Sequence, residues 1–117
     1  MQRKHRLRSG ADFQRLRQQG RTLAHPLVVL SYMPNHLDYS RFGFVVGGRL
    51  GKAVLRNRIK RRMREATRTR LQEQKIARGW DIVLIARHPI VTASFQQVDD
   101  AIGLLLRRAD LVSEASS

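Results

Sequence analysis

Cysteine is absent from the 117 residues, which removes disulfides and thiolate metal sites and leaves the redox compartment open. No stretch approaches the apolar length that crosses a bilayer. The basic start, MQRKHRLRSG, runs into Ala11-Asp12-Phe13-Gln14 and so lacks the hydrophobic core of a signal peptide. There is no internal repeat and no low-complexity block. Acids are scarce: 9 Asp and Glu stand against 23 Lys and Arg, a formal net charge of +14. Those acids are scattered, whereas a protein nuclease wants clustered carboxylates for metal ions or a histidine acid-base pair. The adjacent pair Asp99-Asp100 falls in the first turns of a predicted helix, where the helix dipole explains it. His5, His25, His36 and His88 show no metal-ligand spacing. The residues offer no catalytic constellation and no metal site.

What is present points to a folded domain with an anionic partner. A hydrophobic fraction of 42% fits a globular chain, and this length suits one domain, residues 1–117, with one core. A compact domain this basic repels itself, and a polyanion relieves the repulsion. Nucleic acid is the leading partner class and an anionic membrane surface the second. The expected setting is soluble and cytoplasmic.

Residues 1–8 read as a basic arm. Ser9-Gly10-Ala11-Asp12 opens a helix to about Gln19, before Gly20. LVVLSYM, Leu27 to Met33, and RFGFVVG, Arg41 to Gly47, read as strands, and the short polar loop between them favours an antiparallel pair. A glycine turn precedes a long helix, about Ala53 to Lys75, with Gly79 as its stop. DIVLIAR, Asp81 to Arg87, is apolar enough for a strand buried on both faces. Ser94 to about Arg108, with Phe95, Val98, Ile102, Leu105 and Leu106 on one side, is a last amphipathic helix, and the residues after Leu111 (112–117) read as a frayed tail. The expected fold is α+β in the order α-β-β-α-β-α, three helices against a small mixed sheet.

The long helix carries RNRIKRRMREATR, Arg56 to Arg68, with Glu65 as its single acid. Leu55, Ile59, Met63 and Ala66 repeat at helical spacing and point inward. At about 100° per residue, Arg56, Lys60, Arg64 and Arg68 then form a row on the outer flank. Asn57 and Arg61 lie further around, and Arg58 and Arg62 occupy the other flank. A structural helix offsets such charge with acids three or four residues away. Glu65 is placed to help Arg61 or Arg62, and Glu73 to help Arg70, leaving Arg56, Lys60, Arg64 and Arg68 without partners. Arginine's planar fork suits paired contacts to phosphate oxygens.

VGGRLGKA does not make a nucleotide-binding loop. That motif needs four residues between its first glycine and Gly-Lys, and a Ser or Thr after the lysine; here Val46 and Ala53 hold those places. A turn that lets backbone and Lys52 approach an anion fits better. No heptads follow the basic segment, because LQEQKIARG breaks off at Gly79, and the element order matches no helix-turn-helix. Structured RNA is favoured over DNA.

With RFGFVV, GKAV (Gly51 to Val54), Arg56-Asn57-Arg58 and Lys60-Arg61 assembled, the chain resembles the bacterial ribonuclease P protein subunit. The resemblance extends to Arg6-Leu7, Asp12-Phe13, Gly20 and DIVLIAR, and so covers nearly the whole length. It implies an α-β sandwich with a left-handed β-α-β crossover through the basic helix. It also implies the function of an endoribonuclease ribonucleoprotein: the subunit binds a catalytic RNA and the 5′ leader of precursor tRNA, and the leader is removed by hydrolysis to leave a 5′-phosphate. The RNA is expected to hold the active site and the magnesium (Mg2+), with no obligate protein partner and no membrane. By resemblance, Arg56, Asn57, Arg58, Lys60, Arg61, Arg64 and Arg68 dock on the catalytic RNA. A cleft between the first helix and the sheet takes the leader, with Phe13 as a stacking aromatic or an ordinary core residue. Three positions depart from the family pattern: Arg17 replaces a second aromatic, Ser31 replaces a tyrosine with Tyr32 turned to the opposite face, and Gly47-Gly48-Arg49 replaces Ser-Lys-Lys. The expected leader surface is therefore Phe13, Arg17, Ser31, Arg49 and Lys52, leaning on cations more than on stacking. The rival classes are a ribosomal or RNA-chaperone component and a nuclease acting alone.

Overall fold

Residues 3–7, 9–73 and 75–112 are described by the structure, a computed structural model. The elements are α1 (Gly10–Gln19), β1 (Arg21–Ala24), β2 (Val28–Pro34), β3 (Arg41–Val45), α2 (Ala53–Gln72), β4 (Trp80–Ala86) and α3 (Phe95–Arg108), with short 3-10 turns at Arg3–His5, Gly48–Leu50 and His88–Thr92. The four strands form one mixed sheet in the order β1-β2-β4-β3. β2 runs antiparallel to both β1 and β4, and β3 runs parallel to β4.

The register sorts the side chains into two faces, because successive residues of a strand alternate sides. Tyr32, Ile82 and Phe42 line up across β2, β4 and β3, as do Leu30, Leu84 and Phe44. This face meets Ile59, Met63 and Ala66 of α2 and Val98, Ile102, Leu105 and Leu106 of α3 in the main core. On the other face, Ser31, Val83 and Gly43 form one row and Met33, Asp81 and Arg41 the next. There α1 seals a smaller cluster of Leu7, Leu16 and Val83, with Phe13, Met33, Val45 and Ile85 around it. Two helices thus cover one side and a single short helix part of the other. The expected opposite orientations of Ser31 and Tyr32 are present, and DIVLIAR is the central, doubly covered strand.

Four expectations need correction. β1 was not anticipated, so the order is α-β-β-β-α-β-α; in Arg-Thr-Leu-Ala only Leu23 packs on the core, too little apolar periodicity to register as a strand. The strands at 28–34 and 41–45 are not paired, because β4 lies between them. The connecting residues 35–40 can span two inter-strand spacings, about 10 Å, without strain. Helix α2 stops at Gln72 rather than Lys75, well before Gly79, whose φ of 86° turns the chain into β4. Finally, residue 112 does not belong to a frayed tail: Val112 bridges to Ile76, the Leu111 carbonyl accepts from the Ala77 amide, and Leu111 is fully buried. Residues 113–117 lie outside the described residues. At the other end, part of the basic arm is stitched in, with Arg6 bridging to Phe42 and Leu7 buried.

Polar side chains fix the helices on the sheet. Ser9 caps α1, its hydroxyl accepting from the Ala11 amide at 3.1 Å. Ser94 and Gln97 form a reciprocal capping box on α3. Asp81, fully buried, accepts from Arg41 through both oxygens at 2.9 and 2.7 Å and from the Asn35 amide at 3.0 Å. Arg15 of α1 reaches the same carboxylate at 3.5 Å while donating to Asp12 at 2.9 Å. The hydrogen bonds from Arg41 to Asp81 hold that guanidinium above its ordinary pKa, outweighing the opposing effect of burial. This network ties α1 to the starts of β3 and β4. Among the described residues, no helix is long and apolar enough to cross a membrane.

Candidate nucleic-acid interface

Helix α2 buries Ile59, Met63, Ala66 and Thr67 and half-buries Leu55, which turns the expected basic surface away from the core. Asn57, Arg58 and Arg61 are exposed; Arg56, Lys60, Arg64 and Arg68 sit half-buried along the helix borders. Val54, Asn57, Lys60, Arg61 and Arg64 line one shallow groove along this flank. The helix has no acid in its first turn and no side-chain cap, so its first amides and its cations add positive potential at the same end.

The cations along α2 are held differently from residue to residue. Arg56 donates through Nε to the Gly51 carbonyl at 3.1 Å, fixing the start of the helix against the preceding turn. Arg64 lies over the ring of Phe44, 5.8 Å from its centroid. Its pKa is lowered, first by burial and then by the neighbouring Arg6. Arg6 shares the face of its bridge partner Phe42, so the N-terminal arm adds a cation to the α2 side of the sheet. Arg62 donates to the Ala93 carbonyl at 3.0 Å.

The counter-charges differ from those the sequence led one to expect. Glu65 is engaged by Arg68 rather than by Arg61 or Arg62, so Arg68 is not without a partner. The Arg68 hydrogen bonds draw the Glu65 carboxyl below its ordinary range. Glu73 pairs with Lys75, and Arg70 pairs across to Asp99 on α3 at 2.6 Å. Asp99 lies beyond the first turn of α3, so this ion pair, not the dipole, accounts for it. Among the described residues, Arg56, Arg58, Lys60, Arg61 and Arg64 have no carboxylate within ion-pair distance.

The second set of expected residues is divided by the fold. Phe13 and Ser31 share the α1 face. The Phe13 ring lies so close to Gly43 that a β-carbon there would come within 2.6 Å of two ring atoms, so the glycine is what lets the aromatic settle on the sheet. Phe13 remains half-exposed to that side, while Ser31 is buried with its hydroxyl 3.3 Å from that of Thr22. Arg17 is exposed on the last turn of α1. Arg49 and Lys52 are exposed in the turn that packs against the start of α2 and the turn at His88–Thr92, which groups them with the α2 surface. Sequence reasoning passed over Asp81, Arg41, Arg15 and Phe44. An acid opening an otherwise apolar strand was the available signal for the first.

A small α+β domain whose longest helix presents arginines left unneutralised among the described residues is a nucleic-acid-binding protein. A family model described as Ribonuclease P matches residues 1–110. The ribonuclease P protein component of Herpetosiphon aurantiacus is 49% identical over 111 residues, covering 95% of this chain and 89% of that protein. That of Roseiflexus castenholzii is 46% identical, covering 100% and 95%. Among solved structures, the RNase P protein of Staphylococcus aureus superposes with a TM-score of 0.83 at 33% identity, covering 92% of this chain and 96% of that one. The protein from Thermotoga maritima gives 0.80 at 36% identity, covering 88% and 96%. The chain belongs to the ribonuclease P protein family, and with that to tRNA processing as a component that partners an RNA subunit.

Proposed function

We propose that α2 docks on the catalytic RNA of ribonuclease P through Arg56, Asn57, Arg58, Lys60, Arg61 and Arg64, with Arg68 at the margin, and that the α1 side of the sheet receives the 5′ leader of precursor tRNA. The observation that carries this reading is the run from Arg56 to Arg64, where Arg58 and Arg61 are exposed, Arg56, Lys60 and Arg64 are half-buried, and none of the five has a carboxylate to meet it among the described residues. Phosphates supply the missing charge, and the guanidinium forks supply geometry. On the opposite side, Phe13 over Gly43 offers a ring on which a base stacks whatever its identity, and Arg17 lies close along the same helix to track the backbone.

The reaction is hydrolysis of the phosphodiester joining leader and tRNA, leaving a 5′-phosphate on the tRNA. Among the described residues no three His, Asp or Glu side chains gather where one metal ion could touch them. Magnesium and bond cleavage stay with the RNA, and this chain is the subunit that raises affinity for both RNAs, in the cytoplasm.

The test is reconstitution with the catalytic RNA and precursor tRNA at low magnesium. Stimulated cleavage is expected; cleavage by the protein alone, or RNA cleavage that the protein leaves unchanged, contradicts the proposal. For the leader surface, Phe13→Ala should weaken precursor binding by about 1–3 kcal/mol and leave mature tRNA binding unchanged. Equal weakening for both would place the ring in packing alone.

A further inference from the structure

Among the described residues, the large apolar side chains left exposed are Leu37, Val54 and Phe95. Phe95 opens α3, where Ser94 and Gln97 already complete the cap, so the helix start does not require the ring. The inward row of α3 begins one turn later at Val98. Phe95 stands where that row runs out, 40% exposed, and borders a groove of about 380 Å³ with Arg58, Arg61, Arg62 and Glu65 of α2.

The polar groups of this groove are arranged to leave positive charge at its rim. Arg62 ties α2 to the segment just before α3 through the Ala93 carbonyl, which fixes the spacing between ring and helix. Glu65, the groove's acid, has both oxygens taken by Arg68. Arg58 and Arg61 are exposed and have no carboxylate partner among the described residues. An apolar partner covering this groove would strip water from guanidinium groups without replacing it. A nucleotide matches both halves: its base has a face for the ring, and its phosphates accept from arginine.

We propose that Phe95 is a stacking platform for an unpaired base of the catalytic RNA, with Arg58 and Arg61 on the adjoining phosphates, so that the RNA surface wraps from α2 onto the start of α3. This rests on the reading that α2 docks on that RNA. The base belongs to a loop or bulge, since a paired and stacked base exposes no face to a side chain.

The experiment is equilibrium binding of the catalytic RNA to wild type, Phe95→Ala, Phe95→Tyr and, as a control, Leu37→Ala, with thermal midpoints measured alongside. Phe95→Ala should bind roughly 5- to 150-fold more weakly with an unchanged salt dependence, because no charge is removed. Phe95→Tyr and Leu37→Ala should bind as wild type does. Should truncation at Phe95 lower stability, Phe95→Trp supplies a second readout: fluorescence of the introduced indole, taken as the difference from wild type, should be quenched when RNA binds. Wild-type affinity for Phe95→Ala, or an unquenched indole in the bound complex, overturns the proposal while the α2 reading stands. Failure of the wild-type protein to bind the RNA overturns both, and that result is distinct.

Discussion

From Arg56 to Arg64, helix α2 presents cations with no carboxylate in reach among the described residues; from Glu65 onward, Arg68 and Arg70 each have one, Glu65 on the same helix and Asp99 on α3. The residue type is the same and the helix is continuous, so neither composition nor helicity separates the halves. What separates them is what stands opposite. The second half faces α3 and is joined to it by an ion pair and a carbonyl contact, Arg70 to Asp99. The first half follows a glycine turn and has no such ion pair among the described residues; Arg62 there meets only a carbonyl, that of Ala93. An arginine held by a carboxylate is part of the scaffold, as are Arg56 and Arg62 through backbone carbonyls, whereas the exposed Arg58 and Arg61, with no carboxylate among the described residues, are available to a partner. Arg41 and Arg15, gathered around buried Asp81, are the scaffold case at its limit.

That contrast breaks most visibly at Arg41. Arg41→Ala leaves the buried Asp81 carboxylate with only Asn35 and the longer contact to Arg15 and should cost roughly 3 kcal/mol of stability, read by urea denaturation; near-neutral behaviour would remove the distinction between the two kinds of arginine. Next comes Arg70→Ala. It loses a partly exposed charged contact to Asp99 and should cost about 1–2 kcal/mol, with the RNA salt dependence of the folded protein unchanged.

Glu65→Gln sharpens the comparison by moving one residue across the line. It releases Arg68 to the partner, so binding to the catalytic RNA should tighten slightly and the log–log salt slope should steepen by at most about 0.7–0.9. The same pair responds to pH. Because Arg68 holds the Glu65 carboxyl below its ordinary range, the pair's contribution is fully present above the unfolded carboxylate pKa and is lost only as pH falls through the lowered folded value. Salt titrations of the variant and wild type should therefore differ at neutral pH and converge in acid.

Much of this division could be read from the residues. The apolar stripe of α2 placed the basic surface outward, and an uninterrupted apolar run put β4 in the middle of the sheet. Alternation along β2 set Ser31 and Tyr32 on opposite faces. What stayed hidden depends on contacts between distant segments. Local spacing nominates Glu65 for Arg61 or Arg62 and Glu73 for Arg70, but the partner of Arg70 lies 29 positions away and only packing of α3 on α2 brings it near. Loop length allowed β2 and β3 to be neighbours without requiring it, and the more apolar β4 took the central place. β1 has a single inward side chain, and a strand held mostly by its backbone leaves little trace in side-chain pattern. Phe95 was legible as part of an amphipathic stripe, but its exposure beside Arg58 and Arg61 was not.

The most direct test of the central claim is the salt dependence of catalytic-RNA binding by a variant carrying Lys60→Ala, Arg61→Ala and Arg64→Ala together. If these side chains meet phosphates, the log–log slope should fall by about 2–3 while the thermal midpoint stays close to wild type. An unchanged slope in a folded variant would show that the outward cations of α2 face solvent in the complex, and would contradict the account.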